Sequence, residues 1–296
     1  SLINSLGNKL KIGDFLYFTE LDKDKFDVEL FCNDFIDNDE VMILLDLSGL
    51  PLHKRGYRTD GGIAPLRETT AAAMLQMMMW RRKTPLHDPF CGSGTIAIEA
   101  ALYAHNIAPG FGRRFAVENL LIFNRERAIE IRRQEAEKIR TDVETRITGS
   151  DIDSAAVERA KLNAEHACVA AGRALQEIGS DSRIIRPDFV QADFSELEAP
   201  YDTGLILCNP PYGERIGDEQ AAENLYKQMS CLFTNFPGWE FGIITSHLKF
   251  QESIGKHASL LKNLKAGNLE TKFYMYSDNL GSKSQNKSSA KINNFK

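Results

Sequence analysis

From residue 84 onward, short apolar runs alternate with longer amphipathic stretches. The runs at 84–88, 147–152, 189–192, 204–208, 241–245 and 269–276 have the length and β-branched content of strands. The intervening stretches at 95–103, 154–171 and 225–236 read as helices. Such alternation predicts an α/β fold, a doubly wound and mostly parallel sheet with ligands at the carboxyl ends of its strands. Between 104 and 146 lies an insertion rich in Arg and Glu, expected to be helical over 125–145 with a solvated charged face.

Upstream the pattern differs. Val28–Phe31 and Val41–Leu45 read as two strands separated by a turn-prone Asn/Asp stretch, too little for a domain of their own. They are expected to be the remnant of a larger α+β module whose beginning is cut away. A turn-rich basic stretch, 49–62, follows as a hinge. A helix is then expected from Pro65, a residue suited to a first turn, through Ala71–Leu75 towards Trp80. The organisation expected is therefore a partial module with linker over 1–58, a main domain over 59–280, and a Ser/Lys/Asn-rich tail over 281–296 that frays.

Composition narrows the function classes. A hydrophobic share of 43% supports a buried core, and no apolar run reaches the roughly 20 residues of a membrane span. The five cysteines form no CxxC pair or Cys/His cluster, so neither a metal nor a disulfide framework is expected, and a cytoplasmic setting follows. Net charge is −5, which argues against indiscriminate nucleic-acid binding. Basic clusters at His53–Arg58 (with Lys54 and Arg55), Arg81–Lys83 and Arg113–Arg114 nevertheless flank one proposed site and are candidates for phosphate contacts.

The chemistry concentrates in two turns. Asp88-Pro89-Phe90-Cys91-Gly92-Ser93-Gly94-Thr95 sits where a strand hands over to a helix, and its glycines allow a ligand to approach the backbone. It is neither G-x-G-x-x-G nor a phosphate loop ending in G-K-[ST]. Asp88 at the strand end suits a cofactor with an ammonium group and no phosphate, which S-adenosyl-L-methionine satisfies. After the next strand, Asp151-Ile152-Asp153 offers a carboxylate for a ribose diol, with Asp153 as a helix-start acid. After the third, Asp193 could accept from an adenine amino group and Phe194 could cover the ring.

The second turn, Asn209-Pro210-Pro211-Tyr212, points one amide and one aromatic ring at the same spot. An exocyclic amine on guanine or adenine is a poor nucleophile, because its lone pair is delocalised into the ring. The Asn209 side-chain oxygen and Pro210 carbonyl could hold both N–H groups and turn that lone pair towards a methyl donor. The prolines fix the turn, and Tyr212 would stack on the base. A paired base is out of reach, so the target must be unpaired or flipped.

Asp88–Ala101, Gly149–Asp153 and Asn209–Arg215 (NPPYGER) resemble the corresponding motifs of class I methyltransferases with an (N/D)PPY signature. Leu45–Gly49 and Leu52–Arg58 narrow the resemblance to bacterial large-subunit ribosomal RNA guanine-N2 methyltransferases that carry an N-terminal THUMP domain. The resemblance covers about residues 28–276 and implies a Rossmann-like, seven-stranded sheet. It implies that Gly92 and Gly94 line the methionine end of the cofactor, Asp151 its ribose and Asp193 its adenine. It also brings Leu66, within Ala64–Arg67, to the cofactor, and makes residues 28–47 the closing strands of THUMP. Asn209, Pro210 and Tyr212 then hold the target base, with Lys54, Arg55 and Arg215 as further substrate contacts on large-subunit ribosomal RNA. The N-P-P-Y turn alone leaves an adenine-N6 methyltransferase open, and a non-catalytic RNA-binding or assembly protein is the alternative of another class.

Overall fold

The computed structural model describes residues 30–31, 36–37, 40–41, 44–45, 47–58, 66–120, 123–211, 219–266 and 269–277. Its chain divides into two compact units: residues 1–51 with 114–124, and residues 52–113 with 125–296. The basic stretch from Leu52 to Arg58, expected as a linker ahead of the main domain, belongs with the larger unit.

In the smaller unit, β1 (Leu30–Phe31) pairs antiparallel with β4 (Leu44–Leu45), and β2 (Ile36–Asp37) with β3 (Glu40–Val41). The two expected strands are therefore two short antiparallel ladders. Residues 114–124 join them through the Ala116 and Val117 amides, which donate to the Ser48 and Leu47 carbonyls at 3.4 and 3.1 Å.

The larger unit is built on seven strands: β5 (Leu86–Asp88), β6 (Ile147–Asp151), β7 (Asp188–Gln191), β8 (Leu205–Cys208), β9 (Glu240–Thr245), β10 (Leu260–Ala266) and β11 (Leu269–Tyr276). Their order is β10-β11-β9-β8-β5-β6-β7. The five from β9 to β7 run parallel, and β11 is inserted antiparallel between β9 and β10. This is the doubly wound, mostly parallel sheet that the alternation predicts.

The helices are α1 (Glu68–Met77), α2 (Thr95–Ala104), α3 (Arg125–Ala136), α4 (Ser154–Glu177), α5 (Glu219–Met229), α6 (Cys231–Asn235) and α7 (Phe250–Ile254). They cover both faces of the sheet, and β8 shows why. All four residues of Leu205-Ile206-Leu207-Cys208 are buried, because Leu205 and Leu207 join the core under α1, α2 and α4 while Ile206 and Cys208 join the core under α5, α6 and α7. Leu205, Ile206 and Leu207 each contribute roughly 1.5–3 kcal/mol by leaving water.

Two helical expectations need correcting. The expected helix over 125–145 ends at Ala136; beyond it the Arg140 amide donates to the His105 carbonyl at 2.8 Å and the chain runs irregularly into β6. The expected single helix over 225–236 is two, broken at Ser230, whose hydroxyl donates back to the Lys227 carbonyl at 2.6 Å. Pro65, the expected helix start, lies outside the described residues.

Candidate active site

Parallel strands release their chains at one edge, and here four neighbours do so in the order β8-β5-β6-β7. That edge carries Asn209 after β8, Asp88 at the end of β5, Asp151 at the end of β6 and Asp193 just beyond β7. β5 and β8 are directly paired, Leu86 opposite Leu205 and His87 opposite Ile206. The glycine turn and the Asn-Pro-Pro turn therefore leave the sheet side by side.

The glycine turn is fixed from below. The Cys91 amide donates to the Ser150 carbonyl at 2.9 Å, and the Gly94 amide to the Cys91 carbonyl at 2.7 Å. Gly94 caps α2 with φ +83°, and a Cβ there would stand 2.9 Å from the Phe189 ring and 3.2 Å from the Ala160 backbone. Gly92 has φ +50°, yet a Cβ on it would meet nothing within 4 Å. Packing demands Gly94, whereas Gly92 faces open space, the clearance a ligand needs to approach the backbone.

The acids divide the work. Asp151 accepts from the Gly92 amide at 2.9 Å and from the Asp153 amide at 3.0 Å, so it ties the glycine turn to the end of β6 while each oxygen keeps a lone pair. Asp153 caps α4 by accepting from the Ala155 amide. The neighbouring Ile152 is 69% exposed, an apolar surface standing open at the strand ends. Asp88 is buried and accepts from the Phe90 amide at 3.1 Å. Burial first, and Asp151 nearby, push its carboxyl well above the usual range. A cation placed beside this pair would offset that cost. Asp193 accepts from both the amide and the hydroxyl of Ser195, capping a single 3-10 turn. The Phe194 ring lies 5.0 Å from that of Phe90, so the second and fourth corners share an aromatic contact.

Cys91 and Cys208 are buried, and desolvation, aided by Asp88, pushes both thiols up. Neither is a thiolate nucleophile. On the second turn Pro210 is buried, and the Asn209 side-chain oxygen is buried without a hydrogen-bond partner. Tyr212 and Arg215 lie outside the described residues. Among the described residues no cluster of His, Cys, Asp and Glu could hold a metal ion.

Arg55 needs correcting as a substrate contact. Its guanidinium Nε lies 3.6 Å from Glu99 Oε1, inside α2, and Tyr57 donates its hydroxyl to that same oxygen at 3.1 Å. Arg58 also turns inward: one Nη donates to the Leu66 carbonyl at 3.0 Å and to Thr95 Oγ1 at 2.7 Å, with Glu68 at 3.8 Å. These cations are internal, because buried Glu68 and Glu99 require partners. Arg58 thereby fastens Leu66 to the first residue of the helix that follows the glycine turn. Lys54 remains exposed.

A family model described as "UPF0020: RMKL-like, methyltransferase domain" matches residues 55–274, the span that contains both turns. The chain belongs to this family. Among its relatives, "Putative RNA methyltransferase YpsC" of Bacillus subtilis is 41% identical over 80% of this chain and 58% of that protein. "Ribosomal RNA large subunit methyltransferase K/L" of Shewanella pealeana is 38% identical over 80% of this chain and 32% of that protein. The chain thus spans little more than half of the first relative and about a third of the second. Two solved structures superpose with a TM-score of 0.69. SMU.472, described as a putative methyltransferase complexed with SAH, is 32% identical, with coverage of 79% of this chain and 58% of that one. A protein described as a predicted N6-adenine-specific DNA methylase, from Listeria monocytogenes, is 37% identical, covering 81% and 59%.

Sequence reasoning passed over Glu99 and Glu68, which hold the inward arginines, and Tyr226, whose hydroxyl reaches the Pro211 carbonyl at 3.2 Å. The available signal was Glu99 in the otherwise apolar run Ile96–Leu102, a carboxylate that demands a cation.

Proposed function

We propose that this chain is an S-adenosyl-L-methionine-dependent methyltransferase that modifies an exocyclic amine of RNA, the N2 of a guanine in large-subunit ribosomal RNA. The observation that carries the reading is the buried, unpartnered Asn209 oxygen beside the glycine turn. A buried acceptor without a donor costs about 1–3 kcal/mol, a cost that an incoming N–H group removes. The names of the relatives support methyl transfer to RNA and, in the K/L enzymes, to the large subunit.

The residues present fit the cofactor. Gly92 leaves the approach open, Asp88 and Asp151 offer carboxylates towards its cations and ribose, and exposed Ile152 offers an apolar surface for the adenine. Bound there, S-adenosylmethionine supplies an electrophilic methyl group on a sulfonium. The chain's own part is positional: Asn209 Oδ1 and the Pro210 carbonyl accept the two amine N–H groups, so the nitrogen lone pair faces the glycine turn. Both acceptors sit on a proline-stiffened turn and need little reorganisation. No strong base is required, because the methylated ammonium is acidic and gives its proton to water. Tyr212 stacks on the base, Arg215 and Lys54 contact the RNA, and the strands within residues 28–47 belong to a THUMP-like module. An adenine-N6 target is the second reading, favoured by the description of the Listeria relative.

The test is transfer of labelled methyl from S-adenosylmethionine to large-subunit ribosomal RNA. Wild-type chain is expected to label the RNA, and Asn209→Ala to lose at least about 100-fold in kcat with S-adenosylhomocysteine affinity largely kept. Labelling by the variant at near wild-type rate refutes the assignment.

A further inference from the structure

Within the Asn-Pro-Pro turn neither Pro210 nor Pro211 has an N–H to donate. The turn's brace comes from behind. Tyr226, on α5 and fully buried, donates its hydroxyl to the Pro211 carbonyl at 3.2 Å. The same hydroxyl lies 3.1 Å from Thr245 Oγ1 at the end of β9, and Thr245 Oγ1 accepts the His247 amide at 3.1 Å. With the phenol hydrogen committed to the carbonyl, the phenol oxygen accepts from the Thr245 hydroxyl. The bonds therefore run in one direction, from the His247 amide through Thr245 and Tyr226 to Pro211.

The ring itself is held. It meets Phe250 edge-on at 5.0 Å and tilts against His247 at 5.2 Å. It shares a buried hydrophobic cluster with Ile206, Phe250 and Tyr274, a core in which phenylalanine would pack as well and bring no hydroxyl to desolvate. The hydroxyl has a specific destination, the carbonyl two residues beyond Asn209. Thr245 is likewise a fully buried hydroxyl whose bonds, as far as the structure describes them, serve this chain.

We infer that Tyr226, backed by Thr245, is a positioning residue for methyl transfer: it fixes the peptide at Pro211 so that the Asn209 oxygen and the Pro210 carbonyl hold one geometry towards the amine. The inference rests on the methyl-transfer reading above and adds to it the source of the turn's rigidity, which lies on α5 and β9.

The test uses the full chain with labelled S-adenosylmethionine and large-subunit ribosomal RNA. Tyr226→Phe is expected to lower kcat roughly 3- to 10-fold while the Kd for S-adenosylhomocysteine stays within about twofold. Thr245→Val should do the same, and the double variant should be no worse than about twofold below the weaker single, because both cut one chain. A purely structural role would lower Tm, leave kcat at its wild-type value and combine additively; that pattern overturns the inference. Amide hydrogen exchange, measured without cofactor or RNA, keeps the proposal testable whatever the chain's activity. In Tyr226→Phe the peptide spanning residues 205–217 should exchange at least about threefold faster while β5 and β6 stay unchanged. Unchanged exchange at that peptide overturns the brace by itself, and absence of wild-type methyl transfer overturns only the reading on which it rests.

Discussion

Glu99→Gln should make the protein more stable at neutral pH and leave it nearly unchanged in acid. Glu99 lies within α2, 4% exposed, accepting the Tyr57 hydroxyl at 3.1 Å with the Arg55 Nε at 3.6 Å. Burial is the largest influence on its carboxyl; Arg55 and Tyr57 oppose it, Glu68 adds to it, and the result is a pKa pushed from 4.5 up to about 7. Between these values the folded chain keeps the proton while the unfolded chain has released it. Stability therefore falls as pH rises from 4.5 to 7 and is flat beyond. A separation of about 2.5 pH units at about 1.4 kcal/mol each gives about 3 kcal/mol. Glutamine preserves the acceptor for Tyr57 and cannot ionise, so it removes the slope. Urea denaturation of both proteins from pH 4.5 to 8 reads the difference directly, since titrating groups remote from Glu99 cancel. The difference should be near its minimum at pH 4.5 and grow by about 3 kcal/mol, in favour of glutamine, by pH 8. Parallel curves, or growth in favour of the wild type, would refute the account of this buried carboxyl.

The two glycines of the cofactor turn should fail differently. Gly94→Ala, with left-handed backbone and an added Cβ 2.9 Å from Phe189 and 3.0 Å from Ala160, should cost about 2–4 kcal/mol in urea denaturation. Gly92→Ala has only its φ of +50° to answer for, so it should cost about 1 kcal/mol while weakening S-adenosylhomocysteine binding at least about 10-fold by calorimetry. Arg58→Lys loses the fork that joins Leu66 to Thr95 and should weaken the same binding about 5- to 10-fold; unchanged affinity would show that this tie does not shape the pocket.

What could be read from the sequence followed from local rules. The runs ending at Asp88, Asp151 and Cys208 are strands because their apolar length and terminal turns agree, and both site turns fall at strand ends as expected. β10 escaped notice because Leu260–Ala266 does not alternate cleanly: it packs beside β11 alone, with Leu261 40% exposed. The helix break at Ser230 depends on one side-chain bond that no periodicity records. The inward turn of Arg55 and Arg58 is hidden in the sequence for a related reason. A basic run looks like a phosphate contact until its partners are known, and Glu68 and Glu99 are 10 and 44 residues away along the chain from Arg58 and Arg55. Tyr226 and Thr245 look like ordinary members of apolar elements, and only the fold brings them behind Pro211.

Central to the account is an amine held at the Asn209 corner, and nucleoside mass spectrometry of methylated RNA examines it most directly. Unmodified large-subunit ribosomal RNA, incubated with this chain and S-adenosylmethionine and then digested, should yield N2-methylguanosine. N6-methyladenosine instead would replace the guanine with the second reading. A methyl group on a ring carbon, a ring nitrogen or a ribose oxygen would contradict the account.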